Sequence, residues 1–234
     1  MGRLTFAPEG SMNTQAAIGM SFARRSKFAE RGFFIGMALG MILTVLLGFA
    51  PSYYLMRPDA APLTPLLHVH AAAATIWMLL FLAQTGLVAA HRVGVHRRLG
   101  MAGAAVAIAL TIFTSAVSIV SRGLTAKLTF AAGAVLMFVI YVTAGFLMRS
   151  QPDTHKRLML LATIALLPPA IARIDVPFMP HDSFGPNFVG LFFLLPAFAY
   201  DLVTRGRVHP ALLWGGLFMI AMLPLRLLLK NYVF

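Results

Sequence analysis

Seven apolar runs divide this chain, at residues 32–55, 66–90, 101–121, 128–148, 157–174, 187–204 and 210–229. A helix crossing the hydrocarbon core of a bilayer needs about 20 apolar residues, and nothing in that layer can hydrogen-bond an irregular backbone. Runs of this length therefore read as membrane helices. The expected fold is an all-α membrane protein of seven transmembrane helices, a first anchor helix followed by three helical hairpins. Residues 1–31 form a basic N-terminal segment and residues 32–234 the transmembrane bundle. The first run is too long for a signal-peptide core and has no clear small-residue cleavage site, so it reads as a retained helix. The fifth contains Pro168-Pro169, which predicts a kink or a break there.

Only 11% of the residues are charged, where a soluble domain carries about a quarter. The excess apolar surface belongs against the lipid bilayer. The net charge of +12 does not point to nucleic acid, because Lys and Arg stand in short groups between apolar runs. One set of connections holds thirteen of them: Arg3, Arg24, Arg25, Lys27, Arg31, Arg92, Arg97, Arg98, Arg149, Lys156, Arg157, Arg205 and Arg207. The opposite set holds six, Arg57, Arg122, Lys127, Arg173, Arg226 and Lys230, and also carries Asp175 and Asp182. The richer side belongs in the cytoplasm. The N-terminus is then cytoplasmic and the C-terminus periplasmic, in a multi-pass protein of a bacterial inner membrane. The absence of cysteine removes disulfides, iron–sulfur clusters, thiolate zinc sites and c-type haem. No phosphate-binding loop, dinucleotide fingerprint, GxSxG or HExxH motif is present, and no catalytic residue is assigned.

An internal repeat organises the histidines. With an offset of 59, residues 71–100 align without gaps on 130–159, and His96-Arg97-Arg98-Leu99 falls on His155-Lys156-Arg157-Leu158. Both copies run outward-to-inward, turn and return, so they are parallel repeats. A third hairpin has His209 at the equivalent turn, followed by Pro210. His91, His96, His155 and His209 are thus expected at one membrane face.

Three readings of these histidines compete. His96 and His155, neutral near helix starts, can ligate a haem b iron while Arg97, Arg98, Lys156 and Arg157 pair with its propionates. Alternatively, His96, His155, His209 and His91 supply the ligands of a zinc or iron ion in a metalloenzyme. In the third reading they are interfacial residues of a cofactor-free structural or assembly subunit. The second helix carries its own signal, with His70, Trp77, Gln84 and His91 recurring every seven residues. Such a polar stripe on a membrane helix faces the bundle interior, and His70, with His181, is the candidate for an outer site. Gly36 and Gly40 form a GxxxG expected to be a packing face.

The stretches "HVHAAAATIWMLLFLAQTGLV", "VHRRLGMAGA", "DTHKRLMLLATIALLPPAIAR" and "DLVTRGRVHPALLWGG", spanning residues 68–216, resemble a family of uncharacterised bacterial polytopic membrane proteins. With histidines near helix ends on both membrane faces, the arrangement is also similar to the cytochrome b561 group of di-haem electron carriers. That second resemblance implies haem binding and electron transfer, with quinone or a membrane redox protein as the partner.

Overall fold

Three of the longer helices start at an X-Pro step, where proline at the first helical position loses no needed hydrogen bond. Pro65, Pro152 and Pro210 open helices α2 (Pro65–Ala89), α5 (Pro152–Ile164) and α9 (Pro210–Val233). Thr64 completes the α2 start by accepting the Leu67 N–H on its hydroxyl at 3.3 Å. The remaining helices are α1 (Glu9–Phe49), α3 (Val93–Arg122), α4 (Leu128–Leu147), α6 (Pro168–Ile171), α7 (Gly185–Gly190) and α8 (Leu194–Arg205). This computed structural model describes residues 9–56, 62–122, 128–174 and 185–233, with side chains for 28–56, 62–120, 133–174 and 185–225. Asp175, His181 and Asp182, used above for topology and an outer site, lie outside the described residues.

Every regular element among the described residues is helical. Four helical stretches are long and apolar enough to cross a membrane: Phe28–Tyr54, Pro65–Ala89, Val93–Val120 and Gly185–Arg205. Gly133–Leu147 and Pro210–Leu225 are shorter apolar helices. Large apolar side chains such as Leu43, Ile76, Leu79, Ile108, Ile112 and Leu195 are exposed, each more than half accessible. Water would penalise that surface and lipid would not.

The helix boundaries depart from the apolar runs in an instructive way. α1 begins at Glu9 rather than near Gly32, and α3 begins at Val93 rather than near Met101. Hydropathy finds only the lipid-matched part of a helix, while the backbone continues through charged residues beyond it. His96 and His155 consequently lie within their helices, each as the fourth residue, three after Val93 and Pro152 respectively. The two tetrads thus share one register, as the repeat predicts. Prolines set the interruptions. After Phe49 the chain widens into one π-turn, Ala50–Tyr54, across Pro51, with Leu55 N–H donating to the Ala50 carbonyl at 2.7 Å. The fifth run breaks between α5 and α6 at Pro168-Pro169, and the sixth is α7 and α8 joined by a 3₁₀ turn, Leu191–Phe193.

α5 is the hub. Leu160, Leu161 and Ala162 are fully buried, Ile164 nearly so, and the polar Thr163 is also inaccessible, its hydroxyl returned to the Met159 carbonyl. A helix buried on every side is the centre of its bundle. α9 reaches it closely at Gly215, where a Cβ would collide with Leu161. Tyr141 of α4 fixes the same contact by donating its hydroxyl to the Gly215 carbonyl at 2.6 Å. By contrast, nothing stands within 4 Å of a Cβ built on Gly36 or Gly40. Among the described residues the GxxxG pair meets no close neighbour and lines an apolar groove of about 300 Å³ with Phe192, Phe193 and Pro196.

One charged corner ties the bundle together at the start of α5. Arg157 and Asp201 are 2% and 1% exposed. Arg157 Nε donates to Asp201 Oδ2 at 2.9 Å and Nη2 donates to Oδ1, a bidentate pair between α5 and α8. Arg157 Nη1 also donates to the Asp153 carbonyl at 2.8 Å. Asp201 Oδ2 accepts the His209 N–H at 2.9 Å, which brings in the start of α9. Lys156 bridges Asp153 and Glu30 of α1, and Arg205 reaches Asp153 Oδ2 at 3.2 Å.

Breaking such a buried pair from one side leaves an uncompensated charge, which costs about 3–5 kcal/mol, whereas replacing both partners by apolar residues is often neutral. Asp201→Ala is expected to lower thermal stability in detergent by an amount of that order. The double change Arg157→Met with Asp201→Leu should recover most of it. Equal loss in the single and double variants would show that the pair itself, rather than its burial unpaired, carries the energy.

Candidate functional site

The four histidines expected at one face separate by what their ring nitrogens do. His91 terminates α2. It has φ +60°. Arg92 N–H donates to the Leu87 carbonyl at 2.8 Å and His91 N–H to Val88 at 3.1 Å, the paired bonds of a Schellman cap. That cap position favours glycine, and here the exposed imidazole is instead held by Arg31 Nη1 at 2.9 Å from Nε2. His209 starts α9. Its Nδ1 accepts the Ala211 N–H at 3.1 Å, so the ring replaces the usual serine or aspartate cap. Both are helix-end devices.

His96 and His155 behave differently. They project from α3 and α5 and approach one another, ring centres 6.2 Å apart with planes crossed at 86°. His155 Nδ1 stands 2.7 Å from the Gly145 carbonyl, in the last turn of α4. Facing a carbonyl, Nδ1 must carry the proton, which leaves the Nε2 lone pair free. Metal-ligating histidines are usually oriented this way. In the α2–α3 copy the carbonyl at the matching place is Gly86, already taken by Ala90 N–H at 2.8 Å as α2 closes its cap. His96 Nδ1 is buried without a hydrogen-bond partner, although the Gln84 backbone is near enough to act on the ring. The two imidazoles are thus unlike, one anchored on a carbonyl and the other with its Nδ1 unpaired.

The predicted stripe on α2 does face inward for most of its length. Trp77 is 2% exposed and meets Phe138 of α4 edge-to-face at 4.9 Å between ring centres. Trp77 Nε1 and Gln84 Oε1 are, like His96 Nδ1, buried polar atoms without a partner, and these three are the only such side-chain atoms among the described residues. Each lies on α2 or α3. An orphaned buried group costs about 1–3 kcal/mol, and Trp77 turns toward α4 rather than α3. His70 contacts Thr114 Oγ1 at 3.3 Å near the other end of α2. The stripe ends at His91 because the helix does.

The expected cations divide as well. Lys156 and Arg157, predicted as partners of an anionic cofactor group, are instead engaged by Glu30, Asp153 and Asp201. Buried charge in a low-dielectric bundle must be neutralised locally, and the carboxylates supplying that charge are close in space but far in sequence. Arg97 and Arg98 remain exposed and form no ion pair with a described carboxylate. Arg97 is near enough for its charge to act on the His96 ring. Among the described residues no group of three His, Asp or Glu is placed to hold a metal ion. His91 and His209 do not join His96 and His155, and the three-histidine arrangement has no geometric support here.

Sequence reasoning missed the Arg157–Asp201 pair, although its signal was present: a lone carboxylate near the end of an apolar run requires a cation. It also missed the two caps, because capping by imidazole has no sequence pattern.

The His209 cap requires an unprotonated Nδ1, and burial together with Arg157 and Arg205 lowers the ring's pKa below the ordinary imidazole value. Its contribution is therefore complete above that ordinary value, about 6.5, and is lost as pH falls through the lowered one. His209→Ala should cost about 1 kcal/mol at pH 7. His209→Asn, which caps without titrating, should keep that stability and show a smaller drop in melting temperature between pH 7 and pH 5. An unchanged pH dependence would remove the ring from the cap.

No protein-family model matches this chain, and neither a curated protein nor a solved structure does.

Proposed function

We propose that this chain is a b-type haem protein of a bacterial inner membrane, in which His96 and His155 would hold the haem, serving electron transfer. In this reading the chain crosses the membrane seven times as an anchor helix and three hairpins related as parallel repeats. The N-terminus is cytoplasmic and the C-terminus periplasmic, as the thirteen-to-six distribution of basic residues favours.

The observation that carries the proposal is the spacing of the two rings. His96 and His155 meet edge-to-face with ring centres 6.2 Å apart, so one cofactor could reach both. Two such side chains without a third would suit a metal group that brings its other donors with it, and a haem held there would supply one-electron chemistry. The anchored Nδ1 of His155 holds one ring in a ligating tautomer. The uncommitted Nδ1 of His96 is a lone pair or N–H that a bound group would relieve. Arg97 is the adjacent cation for a propionate. His70, with Trp77 and Gln84 on the inward stripe, belongs to the outer half of the electron path, and quinone or a membrane redox protein is the partner class. Zinc or iron alone would need further ligands that the described residues do not gather.

The test is the absorption spectrum of the purified protein, oxidised and reduced. The proposal expects a reduced-state b-type band that disappears in His96→Ala and in His155→Ala but survives in His91→Ala and His209→Ala. Stoichiometric zinc or iron with no haem band would favour the metalloenzyme. A wild-type protein free of both haem and metal would leave the cofactor-free subunit as the better account.

A further inference from the structure

The two hairpin tips that share the His-basic-Arg-Leu tetrad have opposite electrostatic fates. At the α4–α5 tip the one exposed arginine, Arg149, folds back onto the Phe146 carbonyl and ring, while Lys156 and Arg157 are consumed by Glu30, Asp153 and Asp201. These are all three of the carboxylates whose side chains are described. At the α2–α3 tip, Arg92, Arg97 and Arg98 are exposed, and no described carboxylate pairs with them. Both α2 and α3 are long and apolar enough to span a membrane, so their junction lies at a bilayer surface. Apolar side chains interleave with the arginines there: Val93 is 45%, Val95 49% and Met101 63% exposed. The turn itself is held in one shape by the Schellman cap and the Arg31–His91 bond.

Guanidinium groups beside exposed aliphatic side chains at a bilayer surface match one ligand chemistry. The forked donors suit phosphate oxygens, and the aliphatic groups suit the glycerol and upper acyl region of the same molecule. We infer that the α2–α3 tip is a binding site for the phosphodiester headgroup of an anionic phospholipid, and that the repeat-related α4–α5 tip is not. Duplication supplied the same cations twice; internal carboxylates neutralised one copy and left the other to the membrane. The inference does not depend on the haem proposal, since it rests on Arg92 and Arg98 together with the contrast between the tips.

Native mass spectrometry of the full chain in detergent, with phosphatidylglycerol or phosphatidylcholine added, tests it. Wild-type protein should retain phosphatidylglycerol in preference to phosphatidylcholine. Arg92→Gln with Arg98→Gln, which leaves Arg97 beside His96 intact, should weaken that retention roughly 10- to 30-fold, given the usual contribution of a basic residue at an anionic surface. Lys156→Gln should leave it unchanged. Arg92→Lys with Arg98→Lys keeps the charge and should retain an intermediate preference, which covers the case in which the glutamine variant fails to fold. Equal retention of the two lipids by wild type, or loss in Lys156→Gln as large as in the arginine variant, would overturn the assignment. Displacement of the lipid by an equal concentration of inorganic phosphate would also overturn it, by making free phosphate the ligand.

Discussion

The bidentate pair between Arg157 and Asp201 holds the rest of the arrangement in place. It is buried almost completely, joins α5 to α8, and through Asp201 Oδ2 also fixes the first residues of α9. A charge pair in this setting is a weak source of net stability but a strong constraint on register. A shift of α5 by one residue would turn Arg157 by about 100° and strand Asp201. His155 lies two residues earlier on the same helix, so the pair that locks α5 also aims the ring that meets His96. The neighbouring Lys156 carries the constraint to α1 through Glu30. Four helices thus meet at one corner, and the histidine pair stands beside it.

The histidines show how residues alike in sequence context differ in their hydrogen bonding. In one copy α2 closes with a tight cap that takes the Gly86 carbonyl; in the other α4 ends loosely, and the Gly145 carbonyl passes to His155. The consequence is chemical: His155 has an assigned tautomer, while His96 keeps a buried nitrogen without a partner. His91 and His209 were absorbed into helix ends, where an imidazole nitrogen serves as acceptor for an arginine or a backbone amide. Of four histidines that look alike in sequence, two are spoken for by the backbone and two are left facing each other.

The helical character of the chain was legible because its apolar runs fall on helices, four of them long and apolar enough among the described residues to cross a membrane. Pro168-Pro169 marked the break after α5. The boundaries were not legible: Val93 to Gly100 is helical yet mixed in polarity, so hydropathy places the start of α3 too late. The approach of His96 to His155 was legible through the repeat, whose tetrads sit at the same helical position. The fates of Lys156 and Arg157 were not, because their partners Glu30 and Asp201 are 126 and 44 residues away in sequence. The caps at His91 and His209 escaped for a related reason: they depend on local backbone geometry that imidazole seldom supports. The GxxxG of α1 meets no neighbour among the described residues, since small residues permit close approach without themselves supplying one.

The central proposal is that His96 and His155 would together hold one haem. Electron paramagnetic resonance of the oxidised, purified protein tests it most directly, together with its haem content. Bound haem with a low-spin ferric signal that is lost in His96→Ala and in His155→Ala is the expected result. A high-spin ferric signal in the wild-type protein, or the absence of haem iron, would contradict the account.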